Sequence, residues 1–322
     1  MSSNYPAGFS GGLTVRGVPV DIPHPGQVFW VNNSTTASHL APKGVGGSNN
    51  NPGTYQKPFQ TIEYAIGKCS AGRGDVIYVM PNHSEAVSAA NGIDFDVAGI
   101  TVIGLGEGST QAQVRFTAAA ASITIDAADI TWVNMRFTAA FADVAQAIDL
   151  NAGGDGFRSI NCLYDEEEAN ENYVIVFGVA DGANDLRFHD NRYFGDDASN
   201  DSFFVGAGTC DKTEFIGNHF EHDTAQTSVI AILRSATAMT NCRLLNNTFV
   251  TAETVLAASC VVFTGTANTG FAGGNTVCAL DSDATAANAT SALDVTGMFG
   301  GQNYVADAVD KQSILFAQGD LT

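Results

Sequence analysis

Thr213-Glu214-Phe215-Ile216-Gly217-Asn218-His219-Phe220 reads as one copy of a repeat. An apolar residue precedes a Gly/Asn corner, and another apolar residue stands two positions beyond the Asn. The same arrangement is found at Asn134, Asn161, Asn191, Asn218, Asn247, Asn275 and Asn303, with gaps of 27, 30, 27, 29, 28 and 28 residues. Leu163, Tyr193, Phe220, Phe249, Val277 and Val305 occupy the second position after their Asn. Asn134 departs from this, with Arg136 at that place and Phe137 just after it. A near-constant period of this length is the mark of a solenoid.

Asn suits such a corner on two counts. It tolerates the left-handed backbone region better than other non-Gly residues. Stacked coil upon coil, its amide can also hydrogen-bond along a ladder. The seven Asn are therefore expected to form one structural ladder along a parallel β-helix.

Composition narrows the function. The net charge of −20 repels phosphate, so neither a nucleic-acid surface nor an anionic membrane is expected as a partner. No apolar run is long enough to span a bilayer. Met1 to Pro6 has neither a basic end nor an apolar core, so no secretory signal is expected there. Cys69, Cys162, Cys210, Cys242, Cys260 and Cys278 include no CxxC pair and read as reduced, mostly buried small hydrophobes. No metal or cofactor is expected.

Residues 1–55 carry six of the eight prolines and read as an extended Pro/Gly/Asn-rich arm, with one short strand at Val28 to Val31. Phe29 and Trp30 are its candidate attachment residues, because exposed aromatics cost solubility. Over 56–74, Phe59, Ile62, Ile66 and Cys69 recur at helical spacing, with Pro58 suited to a first turn. That predicts a capping helix over the open end of a solenoid core spanning 75–322.

The run Asn49-Asn50-Asn51-Pro52-Gly53-Thr54, followed by Pro58-Phe59-Gln60-Thr61-Ile62 and Ala65-Ile66, resembles the opening of pectate-lyase-like right-handed parallel β-helix proteins. It is most similar to those encoded among tailed-bacteriophage virion genes. The resemblance implies an all-β, right-handed, single-stranded parallel β-helix with an N-terminal cap, and homotrimers. It leaves function open, because that fold carries lyases, hydrolases, spikes and structural subunits alike. At ~28 residues per coil, about eight or nine coils spaced ~4.8 Å apart give a rod roughly 40 Å long.

Acidic residues follow the corners: Asp165 to Glu168, Asp196 and Asp197, Glu221 and Asp223, Glu253, Asp281 and Asp307. Stacking would draw them into one stripe, represented by Glu166, Asp196, Asp197 and Asp223. Such a stripe suits paired carboxylates for glycoside hydrolysis, a Ca²⁺ site, or a solvated edge that keeps the rod soluble. The solvated edge is the expectation. Arg158, Arg187, Arg192, Lys212, Arg234 and Arg243 occupy the middle coils, and spacing alone joins none of them to the acids. Gly153 to Arg158 imitates a calcium-binding nonapeptide but ends on Arg158, and Arg73-Gly74-Asp75 reads as a turn before the first coil.

The expectation is a virion structural protein without enzymatic activity, assembled in the host cytoplasm as a capsid-surface decoration or head-fibre subunit. Its partners would be its own copies and capsid proteins. The alternative is a receptor-binding tail spike or depolymerase acting on host surface polysaccharide.

Overall fold

In the computed structural model each coil folds into three short strands, and each strand pairs in parallel with its counterparts one coil away. One coil supplies Arg187–His189, Arg192–Gly195 and Ser202–Gly206 to three different sheets. The first sheet has ten strands, from Val28–Val31 to Phe299–Gly300. The second has ten, from Ser84–Val87 to an antiparallel closing strand at Ser313–Leu315. The third has eight, from Ile93–Phe95 to Leu293–Asp294. The chain is thus an all-β parallel β-solenoid with almost no helix. The structure describes residues 14–15, 18–19, 26–34, 46–168, 170–195, 201–222, 230–253, 259–280, 292–307 and 313–315.

Alternation decides what is inside. In the second sheet Phe137, Tyr164, Tyr193, Phe220, Phe249 and Val277 share one inward column, because their strands stack in register. The Phe137 and Tyr164 rings stack at 5.1 Å, as do those of Phe188 and Phe215 in the first sheet. Burying each such ring stabilises by about 1.5–3 kcal/mol, with up to ~1.5 kcal/mol more from ring geometry. All six cysteines are free thiols, and four are buried. Burial pushes the Cys210 and Cys260 thiols up to about 12, so they pack as small apolar groups.

The Asn residues divide between two columns. Asn191, Asn218, Asn247, Asn275 and Asn303 are buried and form a continuous ladder. Each of the first four donates its side-chain Nδ2 to the Oδ1 of the next, at 3.1, 2.9, 3.0 and 2.9 Å. The backbone N–H of each donates to that same Oδ1 at 2.9–3.0 Å. The second Nδ2 hydrogen reaches a strand carbonyl, as from Asn218 to Phe188. All four bonding sites of the Asn218 amide are therefore used inside the protein. Cys162 N–H closes the series on Asn191 Oδ1 at 2.9 Å.

Asn134 and Asn161 are not rungs of this ladder, contrary to the sequence expectation. They stand one position earlier in the corner, in the left-handed column, with φ of 53° and 51°. Asp190, Gly217, Asn246 and Gly274 continue that column, also at positive φ. The backbone thus separates the two properties for which Asn was expected. The left-handed bend takes Asn, Asp or Gly, and the amide ladder takes the next residue. Met135 and Cys162 occupy the ladder position in the earlier coils, and both are buried.

The N-terminal arm is also corrected. Val28–Val31 is the edge strand of the first sheet, parallel to Val76–Val79. Phe29 points inward, its ring 5.7 Å from that of Phe59. Trp30 stacks on Tyr78 at 4.8 Å and meets the Tyr55 edge at 5.1 Å. Both are under a tenth exposed, so neither offers an attachment surface. The helix expected over 56–74 is a single turn, Ile62–Ile66, capped by the Thr61 side chain and burying Ile62, Ala65 and Ile66.

Beneath the cap lies an inward carboxylate. Glu85 accepts the Ile62 N–H at 2.8 Å and lies 3.1 Å from His83 Nε2. His83 Nδ1 accepts the Asn33 N–H, so its proton sits on Nε2 and is donated to Glu85. Arg73-Gly74-Asp75 is a clasp. Asp75 is fully buried and accepts from Arg73 at 2.6 Å, Gln27 N–H at 2.7 Å and Ser70 N–H at 2.8 Å. Burial alone would raise its pKa; these bonds hold it below the ordinary carboxylate value.

The two columns predict unequal substitution costs. Asn218→Leu strands two buried donors of Asn191 and the Phe188 carbonyl, and is expected to cost about 3 kcal/mol or more. Asn161→Gly keeps the left-handed bend and is expected to stay within about 1 kcal/mol of the wild type. Urea unfolding of both variants checks the difference, and equal losses would contradict the two-column reading.

Candidate functional site

The outer face of the first sheet carries the densest arrangement of charge. Thr131, Arg158, Arg187, Glu214 and Arg243 stand opposite one another on successive strands. Glu214 accepts from Arg243 at 2.9 Å, lies 3.1 Å from His189 Nε2 and 3.8 Å from Arg187 Nε. Arg187 also pairs with Asp185 at 3.0 Å. Arg158 makes no ion pair among the described residues. Beside this column runs an apolar one, in which Ile103, Val133, Ile160, Ile216 and Leu245 share the face with His189. All five apolar residues are half-buried.

Sequence reasoning missed this column because it searched for charge after the corners. The signal lies before them. Arg158, Arg187, Glu214 and Arg243 each stand four positions ahead of the ladder residue, namely Cys162, Asn191, Asn218 and Asn247. That constant offset places them on one face.

The expected acidic stripe resolves into separate pairs where it is described. Asp165 accepts from Thr138 Oγ1 at 2.8 Å and pairs with Arg136 at 2.7 Å. Glu166 accepts the Tyr173 N–H at 3.4 Å, and Glu167 pairs with Arg115. These carboxylates are engaged one by one within the chain. Asp196, Asp197 and Asp223 lie outside the described residues. Among the described residues no group of three or more His, Cys, Asp or Glu side chains is placed to hold a metal ion. No described helix is long and apolar enough to cross a membrane.

A polar group sits inside the middle coils. Gly195, His222 and Thr251 share a column of the second sheet. His222 is fully buried, and its Nε2 lies 3.4 Å from the Tyr193 hydroxyl. Its Nδ1 and the buried Tyr173 hydroxyl have no hydrogen-bond partner among the described residues. Gly195 makes the space, since a Cβ there would come within 2.9 Å of both His222 and the Tyr193 hydroxyl. Burial drives the His222 pKa from 6.5 down to about 4.

No known family model and no curated protein matches the chain. A solved structure is similar: a substituted pectin methylesterase in complex with a hexasaccharide. The match covers 91% of this chain and 86% of that one, at 14% identity and a TM-score of 0.38. At that distance the likeness concerns the fold alone. That structure is an enzyme's, and the expectation that this chain has no enzymatic activity is withdrawn.

His222 sets a pH dependence. Its folded pKa lies below its unfolded value, so the unfolded chain binds the extra proton first as pH falls. Stability is therefore unaffected by this group above pH 6.5 and declines between 6.5 and about 4. The full loss approaches about 3 kcal/mol at 1.36 kcal/mol per pH unit. His222→Gln should flatten that limb of a plot of urea midpoint against pH. An unchanged slope would show that His222 is not neutral and buried in the folded state.

Proposed function

We propose that this chain is a structural subunit of a bacteriophage virion, exposed on the particle as a capsid-surface decoration or head-fibre protein. The observation that carries the reading is the opening segment Asn49 to Ile66, whose residues resemble those of phage-encoded β-helix proteins. That segment is also where the chain seals its core: Phe59, Ile62, Ala65 and Ile66 are buried against Phe29 and Val31. A sealed end and a continuous internal ladder suit a subunit that must stay rigid outside the cell.

Particles assembled without this chain provide the test. Purified chain added to them should co-sediment at a fixed ratio that saturates. Absence of co-sedimentation, together with retention on or cleavage of host polysaccharide, would replace this reading with that of a tail spike or depolymerase.

A further inference from the structure

The ladder position of the first coil is held by a histidine. His83 follows Asn82, whose φ is 61°, as Cys162 follows Asn161 and Asn218 follows Gly217. Its backbone behaves as that of a rung: the His83 carbonyl accepts the Gln113 N–H one coil on, as the Asn218 carbonyl accepts that of Thr248. Its side chain does the same. Nδ1 accepts the Asn33 N–H at 3.0 Å, as Asn218 Oδ1 accepts the Asn191 N–H at 2.9 Å. The difference is chemical. An amide oxygen stays an acceptor as pH falls, whereas neutral imidazole has a single acceptor nitrogen and a second proton removes it.

What this rung holds is the N-terminal edge strand, which buries Phe29 and Val31 and ends on Asn33. His83 is fully buried, and its Nε2 proton is already donated to Glu85. A further proton must go to Nδ1, where it faces the Asn33 N–H. The charged surroundings favour that proton: Glu85 touches the ring, and Glu63 on the cap turn lies near Glu85, Asp94 and Asp96. Arg73 is paired with Asp75 at the other end of the strand. Asn33 and Gln113, which bond to His83 from the edge strand and the second coil, are neutral. The imidazolium is thus compatible with Glu85 and incompatible with Asn33. We propose that His83 is an acid-sensitive latch. Neutral, it holds residues 28–34 on the first coil; protonated, it stays with Glu85 and lets them go. The latched form excludes the second proton, so each unit of falling pH favours release by up to about tenfold. Release bares the sheet edge at Val76–Val79.

Hydrogen exchange of the full chain, corrected for the intrinsic effect of pH, tests the latch. Between about pH 7.5 and about pH 5, residues 28–34 should reversibly lose about tenfold or more of their protection, beyond any loss in the ladder strands. His222→Gln, which removes the buried imidazole of the middle coils, should leave that loss in place. His83→Asn puts an amide oxygen where Nδ1 stood and should keep 28–34 protected in acid. Long-range ¹H–¹⁵N spectra, with the His83 ring assigned by its absence from that variant, should show the Nε2–H tautomer at neutral pH and a charged ring where the strand opens. Protection of 28–34 that persists in acid, or opening while His83 is still neutral, overturns the proposal. So does a loss that disappears in His222→Gln, or a His83→Asn chain that opens in acid as the wild type does. A His83→Asn chain already open at neutral pH overturns it too, because the Asn33 contact would then not be what holds the strand.

Discussion

The buried amide ladder from Asn191 to Asn303 is the constraint on which the coils depend. A solenoid coil touches only its neighbours, so its alignment must be fixed at every step. Apolar columns resist a one-residue slip, which would turn them outward, but tolerate a two-residue slip, which puts one inward residue in the place of the next. The amides do not tolerate it. Moving a coil by two residues would leave the Asn218 side chain in an apolar interior without the four partners it now has. The ladder thus sets register, and register places Phe, Tyr and Val inward and Arg, Glu and Asp outward.

Where the ladder stops, other devices take over. In the earlier coils Met135 and Cys162 fill its position, and Asn134 bonds instead to the carbonyls of Gly104 and Gly106 from the left-handed column. At the N-terminal end the alignment is held by Asp75, Glu85 and His83, three buried polar side chains bonded to backbone or cap. The outer surface inherits this order. A charge placed once per coil becomes a column, which is how three arginines gather on one face of an acidic protein.

Much of the fold was legible in the sequence, because period and alternation are one-dimensional. The division of the Asn residues was less so, although two signs pointed to it. The single 30-residue gap, between Asn161 and Asn191, is where the Asn passes from the left-handed column to the ladder. The inward residue after Asn134 and Asn161 is the third, Phe137 and Tyr164, whereas after Asn191 and Asn218 it is the second. The reading of Phe29 and Trp30 failed for a different reason. The short strand at Val28 to Val31 was legible, but not its partner, Val76–Val79, which lies more than forty residues away and buries both aromatics. For the acidic residues that are described, spacing gives position along the chain but not the partner already facing each one, Arg136 for Asp165, Arg115 for Glu167 and the Tyr173 N–H for Glu166.

The central claim is that ladder amides act on one another, beyond the burial of each separately. A double-mutant cycle on Asn218→Ala and Asn247→Ala measures that directly. If each amide is the other's buried partner, the first substitution already orphans its neighbour, and the double variant should lose less than the sum of the singles by about 1–2 kcal/mol. Losses that add within about 0.5 kcal/mol would mean that the two amides do not interact. The ladder would then not be what aligns the coils.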